Sequence, residues 1–171
     1  MTDGIPERAE RAFEGHEAFE RDGDSFVVTT TRFDGRVTAA ETDDWALSYR
    51  LVVQTPMLSA AVDGDVGDAV EAGWFDTLER RLKDAPSVTR TDVTLDEMTL
   101  TEDGTEAVAE FAFEFDNADR APDVAKAFAE YVEGTYVEGV VPGYDYEGVV
   151  ADLMGKAASQ GGDGSRGGTP L

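Results

Sequence analysis

Cysteine is absent from this chain, and histidine occurs only once, as His16. The lack of cysteine excludes disulfides, thiolate nucleophiles and cysteine-ligated metal sites. His16 lies between Phe13 and Phe19 on the apolar side of the first predicted helix, with no second histidine or cysteine to complete a ligand set. We therefore interpret His16 as a core or edge residue, and the sequence predicts no metal site.

The sequence signatures of nucleophilic and phosphate-binding sites are also missing. No serine lies in a Gly-x-Ser-x-Gly elbow, and no Walker-type loop is present. Gly162, Gly164 and Gly167 have the spacing of a dinucleotide-binding motif, but that motif needs a strand before it and a helix after it. Their surroundings indicate neither element, so the sequence predicts no catalytic residue and no cofactor.

Long apolar runs are lacking as well. The first ten residues, MTDGIPERAE, have neither the basic region nor the apolar stretch of a secretory signal. No segment approaches the ~18 consecutive apolar residues that span a membrane. We expect a soluble cytoplasmic protein.

Basic residues are scarce relative to acidic ones. The 171 residues include 37 Asp and Glu but only 14 Lys and Arg, which gives a formal net charge of -23. Such a surface repels nucleic-acid phosphates and anionic membranes, so neither is an expected partner. Concentrated salt screens the self-repulsion, because the Debye length falls to about 3 Å near 1 M, and the composition therefore indicates a salt-rich cytoplasm.

Alternating apolar residues mark the strand around which we expect the fold to form. In WALSYRLVVQTP, residues 45–56, the apolar side chains recur at every second position from Trp45 to Val53. The run AVAEFAFEF, residues 107–115, has the same alternation and offers a matching apolar face. These patterns predict two strands that each bury one face.

The period of the apolar pattern changes along the chain from two to about 3.6 and back, which predicts a mixture of strands and helices. The predicted elements are a helix from Pro6 to Phe19 ended by Asp22-Gly23, strands over 25–33 and 36–41 joined by an Asp34-Gly35 hairpin turn, the strand over 45–56, a helix over 66–82 capped by Asp65, strands over 88–100 and 107–115 joined at Asp103-Gly104, a helix opened by Pro122, and a short helix over 145–158. A bulge is expected near Asp96-Glu97, because the apolar residues before and after it are out of phase.

This order predicts an α+β fold in which helices pack against an antiparallel sheet of about five strands, in the order α-β-β-β-α-β-β-α with a possible final helix. Residues 1–158 are expected to form a single domain. The glycine-rich residues 159–171 are expected to form a disordered tail.

Four tyrosines near the C-terminal side of the domain are the candidate partner surface. They are Tyr131, Tyr136, Tyr144 and Tyr146. A tyrosine has an apolar ring and a polar tip, which suits both protein interfaces and the packing of a terminal segment onto a core. Both interpretations stay open at the level of sequence.

The element order over residues 6–138 resembles the type III secretion chaperone-like architecture, whose members bind other proteins and commonly dimerise. The resemblance is one of topology and brings no motif, so it implies no functional residue. In composition the chain also resembles small haloarchaeal protein families of unknown function. These resemblances favour a non-enzymatic protein-binding or chaperone-like module, with a protein partner or a homodimer. The alternative is a small-ligand-binding domain or an unrecognised enzyme.

The acidic excess leads to a prediction about salt. When KCl falls from molar concentration to ~10 mM, where the Debye length is ~30 Å, the chain should lose cooperative folding because its carboxylates repel one another. Circular dichroism melts across a KCl series measure this. A melting temperature that does not change over the series would contradict it.

Overall fold

The computed structural model describes the backbone of residues 4–168 and the side chains of residues 4–158. It confirms the predicted α+β fold: one antiparallel sheet has six strands in the order β1-β2-β3-β4-β6-β5. The elements are α1 (Glu7–Glu14), β1 (Phe19–Asp22), β2 (Ser25–Val28), β3 (Asp34–Glu41), β4 (Leu47–Pro56), α2 (Leu58–Ala61), α3 (Asp68–Leu82), β5 (Leu95–Asp103), β6 (Glu106–Phe115), α4 (Ala121–Glu138) and α5 (Gly148–Gly168). A 3-10 turn, Ala85–Val88, lies between α3 and β5.

The centre of the sheet is the pair formed by β4 and β6, as the alternation predicts. The two strands pair antiparallel along their full length, from Leu47 opposite Phe115 to Pro56 opposite Glu106. Every second residue of both strands is buried. The ring of Phe128 on α4 lies 5.6 Å from that of Phe111 and 5.4 Å from that of Phe113, between ring centroids. Helix α4 therefore covers this face of the sheet, and the core lies between the helix and the sheet.

Trp45 does not belong to the buried face of β4, and the prediction that it does is wrong. The strand begins at Leu47, and the Trp45 side chain is 68% exposed. The preceding residues form a turn in which the Ala46 amide donates to Asp44 Oδ1 over 3.0 Å. Local hydrogen bonding of this kind competes with a strand ladder, and here it turns the indole outward.

The first helix is shorter than its apolar period predicts. It ends at Glu14, and Phe19 instead begins β1. Asp22-Gly23 is part of a tight turn between β1 and β2, where Gly23 has a φ of 64°. Helix and strand periods both bring Phe19 into the core, where its ring lies 4.8 Å from that of Phe13, so the burial pattern alone does not distinguish them.

The predicted hairpin turn at Asp34-Gly35 is also wrong. Both residues lie in β3, where Gly35 pairs with Val53. A Cβ on Gly35 would lie 3.2 Å from Cγ2 of Val28, so glycine permits close approach here and does not form a turn. The strand predicted over 25–33 ends at Val28, because the amides of Arg32 and Phe33 donate to Glu133 of α4 instead of to a neighbouring strand.

The second half of the chain follows the prediction more closely. The register of β5 shifts between Leu95 and Glu97, where the bulge is expected, and Gly104 forms the expected turn with a φ of 64°. Three elements differ in their bounds: Gly67, not Asp65, lies at the N-terminal cap of α3, β5 begins at Leu95, well after the predicted start at Val88, and α5 spans Gly148–Gly168 where a helix over 145–158 is predicted. The backbone of residues 159–168 thus continues α5, their side chains lie outside the described ones, and the disorder expected of residues 159–171 stays a prediction.

None of the helices in the described part of the chain has the length and apolar character needed to cross a bilayer.

Phe111 provides a test of the core. It lies on β6 and is fully buried between the sheet and α4, so Phe111→Ala should lower the free energy of unfolding by about 3–5 kcal/mol. Glu114→Ala, on the opposite face of the same strand, is the control and should change it by less than about 0.5 kcal/mol. Urea unfolding in concentrated KCl measures both. A loss below about 1 kcal/mol for Phe111→Ala would contradict the assigned core.

Candidate functional site

The four predicted tyrosines do not form one surface. Tyr136 is fully buried, with 0% exposure, and its hydroxyl donates to the Pro56 carbonyl over 2.8 Å. The Tyr131 hydroxyl donates to the carbonyl of Arg81 over 2.9 Å. These two side chains tie α4 to the end of β4 and to α3, so their geometry is that of packing.

Tyr144 and Tyr146 lie in the connection between α4 and α5 and are partly exposed. The Tyr146 hydroxyl donates to the carbonyl of Val141 over 2.6 Å. The backbone around them is held by two hydrogen bonds, from the Asp63 amide to Asp145 and from the Glu147 amide to Ala61. The segment is thus docked on the end of α2 and the residues just after it, and a role of Tyr144 in partner contact stays a prediction.

A different surface forms where α1, the turn before β4 and the connection after β6 meet. Its residues line an open depression of about 540 Å³, and we call it the Trp45 surface: Arg8, Arg11, Trp45, Asp116, Asn117, Ala118 and Asp119. The register of β4 and β6 brings the turn before β4 next to the connection after β6. Because Leu47 pairs with Phe115, the residues before β4 and after β6 leave the sheet at the same end of this strand pair.

Arg8 fixes the exposed indole in position. Its guanidinium carbon lies 3.8 Å from the centroid of the Trp45 ring, and Nη2 donates to the Trp45 carbonyl over 2.6 Å. A cation over an indole face is attracted by the ring quadrupole. Arg11, one helical turn further on, makes no ion pair with any residue whose side chain the structure describes.

A buried hydroxyl lies on the inward face of β4, near the same end of the sheet. Tyr49 is 1% exposed, and its hydroxyl has no hydrogen-bond partner among the described residues. Burial raises the pKa of Tyr49 to about 12, and the positive charge of Arg8 opposes that rise. Buried polar groups are normally paired, so this hydroxyl is an exception in the core.

A second depression, of about 370 Å³, lies at the start of α4, and we call it the Arg90 cleft. It lies between the loop after the 3-10 turn and α4, and it is lined by Val88, Thr89, Arg90, Thr91, Arg120, Asp123, Val124, Lys126, Ala127 and Glu130. Arg120 is the residue just before α4. Three cations therefore face one cleft in a strongly acidic chain.

His16 connects α1 to the start of α4. Its Nδ1 accepts a hydrogen bond from the Ala18 amide over 3.1 Å, so the proton of the neutral ring is on Nε2, which lies 2.8 Å from Asp123 Oδ1. The ring also packs edge-on against Phe19, at 5.5 Å between centroids. His16 thus lies at the edge of the core and orients Asp123.

Sequence reasoning missed Trp45, Arg8, Arg90 and Arg120 as surface residues of interest. One signal was present for Trp45, since it follows Thr42-Asp43-Asp44, a polar run typical of a turn. The arginines gave no local signal, because they are far apart in the chain and only the fold brings them to these two surfaces.

A protein-family model described as "Family of unknown function (DUF5813)" matches residues 14–156 of the chain. No curated protein matches the chain, and no solved structure does.

The two buried tyrosines provide a matched test of the hydrogen bonding described above. Tyr136→Phe leaves the Pro56 carbonyl without its donor, so the free energy of unfolding should fall by ~1–3 kcal/mol. Tyr49→Phe removes a hydroxyl that has no partner among the described residues, and it should leave stability unchanged or raise it. Urea unfolding of both variants measures the difference. Equal losses would show that the hydroxyl of Tyr49 is also paired.

Proposed function

Since the chain belongs to DUF5813, a family of unknown function, we propose from its geometry that it is a non-enzymatic binding module that holds a segment of a partner protein on the Trp45 surface. The observation that carries the proposal is the 68% exposure of Trp45 beside an open depression of about 540 Å³. Among the described residues it is the most exposed of the large hydrophobic side chains.

The contact between Arg8 and Trp45 supports a binding role because it orders the side chain in advance. Tryptophan and arginine are enriched among the residues that dominate binding energy in interfaces. Immobilising a flexible side chain on binding costs roughly 0.5–1.5 kcal/mol, and Arg8 already holds the indole from one side. The rest of the exposed indole is free to pack against an apolar side chain.

The charges around the indole indicate the chemistry of the partner. Arg11 makes no ion pair with a described residue, so its guanidinium can take a carboxylate in a two-pronged contact. Asp116, Asn117 and Asp119 can accept hydrogen bonds from the main chain of a bound segment. The partner segment is therefore one that presents a carboxylate next to an apolar side chain.

The Trp45 surface supports this role better than the predicted tyrosines do. Tyr131, Tyr136 and Tyr146 already donate their hydroxyls to carbonyls of the same chain. Tyr144 is therefore the tyrosine whose substitution is compared with that of Trp45 in the test below.

The chaperone-like role, the salt-rich cytoplasm and the haloarchaeal setting that the sequence suggests belong to this proposal. The net charge of -23 supports the salt-rich setting.

Selection of displayed random peptides tests the proposal. Selection is done in KCl at which the chain is folded, and the enriched peptides should carry Asp or Glu next to an aliphatic or aromatic residue. Trp45→Ala should weaken their binding by about 2 kcal/mol or more, the loss typical of a dominant interface residue, and Arg11→Gln should weaken it less. Titrations of the selected peptides, with circular dichroism to confirm folding, measure these effects.

Tyr144→Ala is the aromatic control, and Arg80→Gln, an exposed arginine on α3, is the charge control. Neither should change peptide affinity. Peptides that lose binding with Tyr144→Ala but not with Trp45→Ala would place the contact on the tyrosine segment. Self-association that Trp45→Ala abolishes, seen by light scattering, would replace the separate partner with a second copy of the chain. Either result overturns the proposal.

A further inference from the structure

The Arg90 cleft differs in charge from the rest of the molecule. Its lining includes Arg90, Arg120 and Lys126 but only two carboxylates, Asp123 and Glu130. The lining is therefore net positive in a chain whose formal charge is -23. Cations within a local concavity attract anions more strongly than isolated surface cations do, because the low-dielectric walls focus the field.

Both carboxylates of the cleft already have partners in the chain. Asp123 Oδ1 lies 2.8 Å from His16 Nε2, and Glu130 Oε2 lies 3.2 Å from Lys126 Nζ. Arg90 and Arg120 make no ion pair with any residue whose side chain is described. Two guanidinium groups in the cleft are thus left for an anion from outside the chain.

The loop that carries Arg90 has internal hydrogen bonds that define its course. The Thr89 hydroxyl lies 3.0 Å from the carbonyl of Pro86 and 2.8 Å from that of Thr91, and its one proton is donated to or shared between these two acceptors. On the opposite wall, Arg120 leads directly into the first turn of α4, where Val124 is buried. The two arginines therefore approach the cleft from two separately anchored elements.

We propose that the Arg90 cleft binds a small, multiply charged oxyanion between Arg90 and Arg120. The planar guanidinium matches the oxygen pairs of phosphates and carboxylates. A volume of about 370 Å³ is at the lower end of the range for small-molecule sites, so the ligand is a small organic phosphate or polycarboxylate. Val88 and Ala127 provide apolar contact for its carbon skeleton.

This site is independent of partner binding at the Trp45 surface. The two depressions share no lining residue. Repulsion from the acidic shell disfavours anions in general, so an anion that binds here must contact the arginines directly.

Isothermal titration calorimetry with two probes, inorganic pyrophosphate and citrate, tests the proposal on the full chain at constant ionic strength. At least one probe should bind the parent chain with one-to-one stoichiometry. The double variant Arg90→Gln, Arg120→Gln should raise its Kd by about tenfold or more, since each arginine donates charge-assisted hydrogen bonds. Both side chains are exposed, so circular dichroism should show an unchanged fold.

Two controls separate a site from general charge effects. Arg80→Gln removes one positive charge from an exposed position outside the cleft and should leave the Kd within about twofold. Trp45→Ala should also leave it unchanged, which keeps this test distinct from that of the partner surface. Failure of both probes to bind the parent, or equal losses in Arg80→Gln and the double variant, would overturn the proposal.

Discussion

The pairing of β4 with β6 is the interaction on which the rest of the structure depends. It aligns two alternating apolar faces over ten residue pairs and presents Phe111 and Phe113 to Phe128 of α4. Without that continuous face the helices would have nothing to pack on, since a sheet or helix is stable only when its apolar side is covered. The same register decides where the connections emerge. It brings the turn that carries Trp45 next to the loop that leads into α4, and so creates the Trp45 surface.

Helix α4 links the core to both candidate sites. Its buried side runs along the sheet through Val124, Phe128, Val132 and Tyr136. Its first turn is held against the segment after α1 by the contact between His16 and Asp123, and the same turn lines the Arg90 cleft together with the loop around Arg90. Two surfaces with arginines that lack acidic partners among the described residues therefore lie at one helix start. The acidic excess makes this arrangement chemically distinct, because most other described cations are already engaged by neighbouring carboxylates, as Arg36 is by Asp22 and Asp34.

The turn signals show where local sequence reasoning fails. Asp22-Gly23 and Asp34-Gly35 are the same dipeptide, and by sequence each predicts the end or the reversal of an element. Gly23 does form a tight turn, with positive φ, whereas Gly35 lies inside β3, where a Cβ would lie 3.2 Å from Val28 Cγ2. A glycine can supply positive φ in a turn or allow close approach within a strand, and the neighbouring strand decides which of the two applies. Tyr136 shows the same limit for side chains, because its ring and hydroxyl suit an interface as well as a core.

The sequence by itself determined the α+β class, the two central strands, the bulge in β5, the turn at Gly104 and helix α4. These features depend on periodicity and on residues a few positions apart, which are properties of short segments. Only the tertiary structure decided that Trp45 faces solvent, that Tyr136 is in the core, and that Arg8 and Trp45 meet. It alone also placed Arg90 and Arg120 on one cleft. Those outcomes depend on strand register and helix packing between residues far apart in the chain, and no local pattern encodes the distance between them.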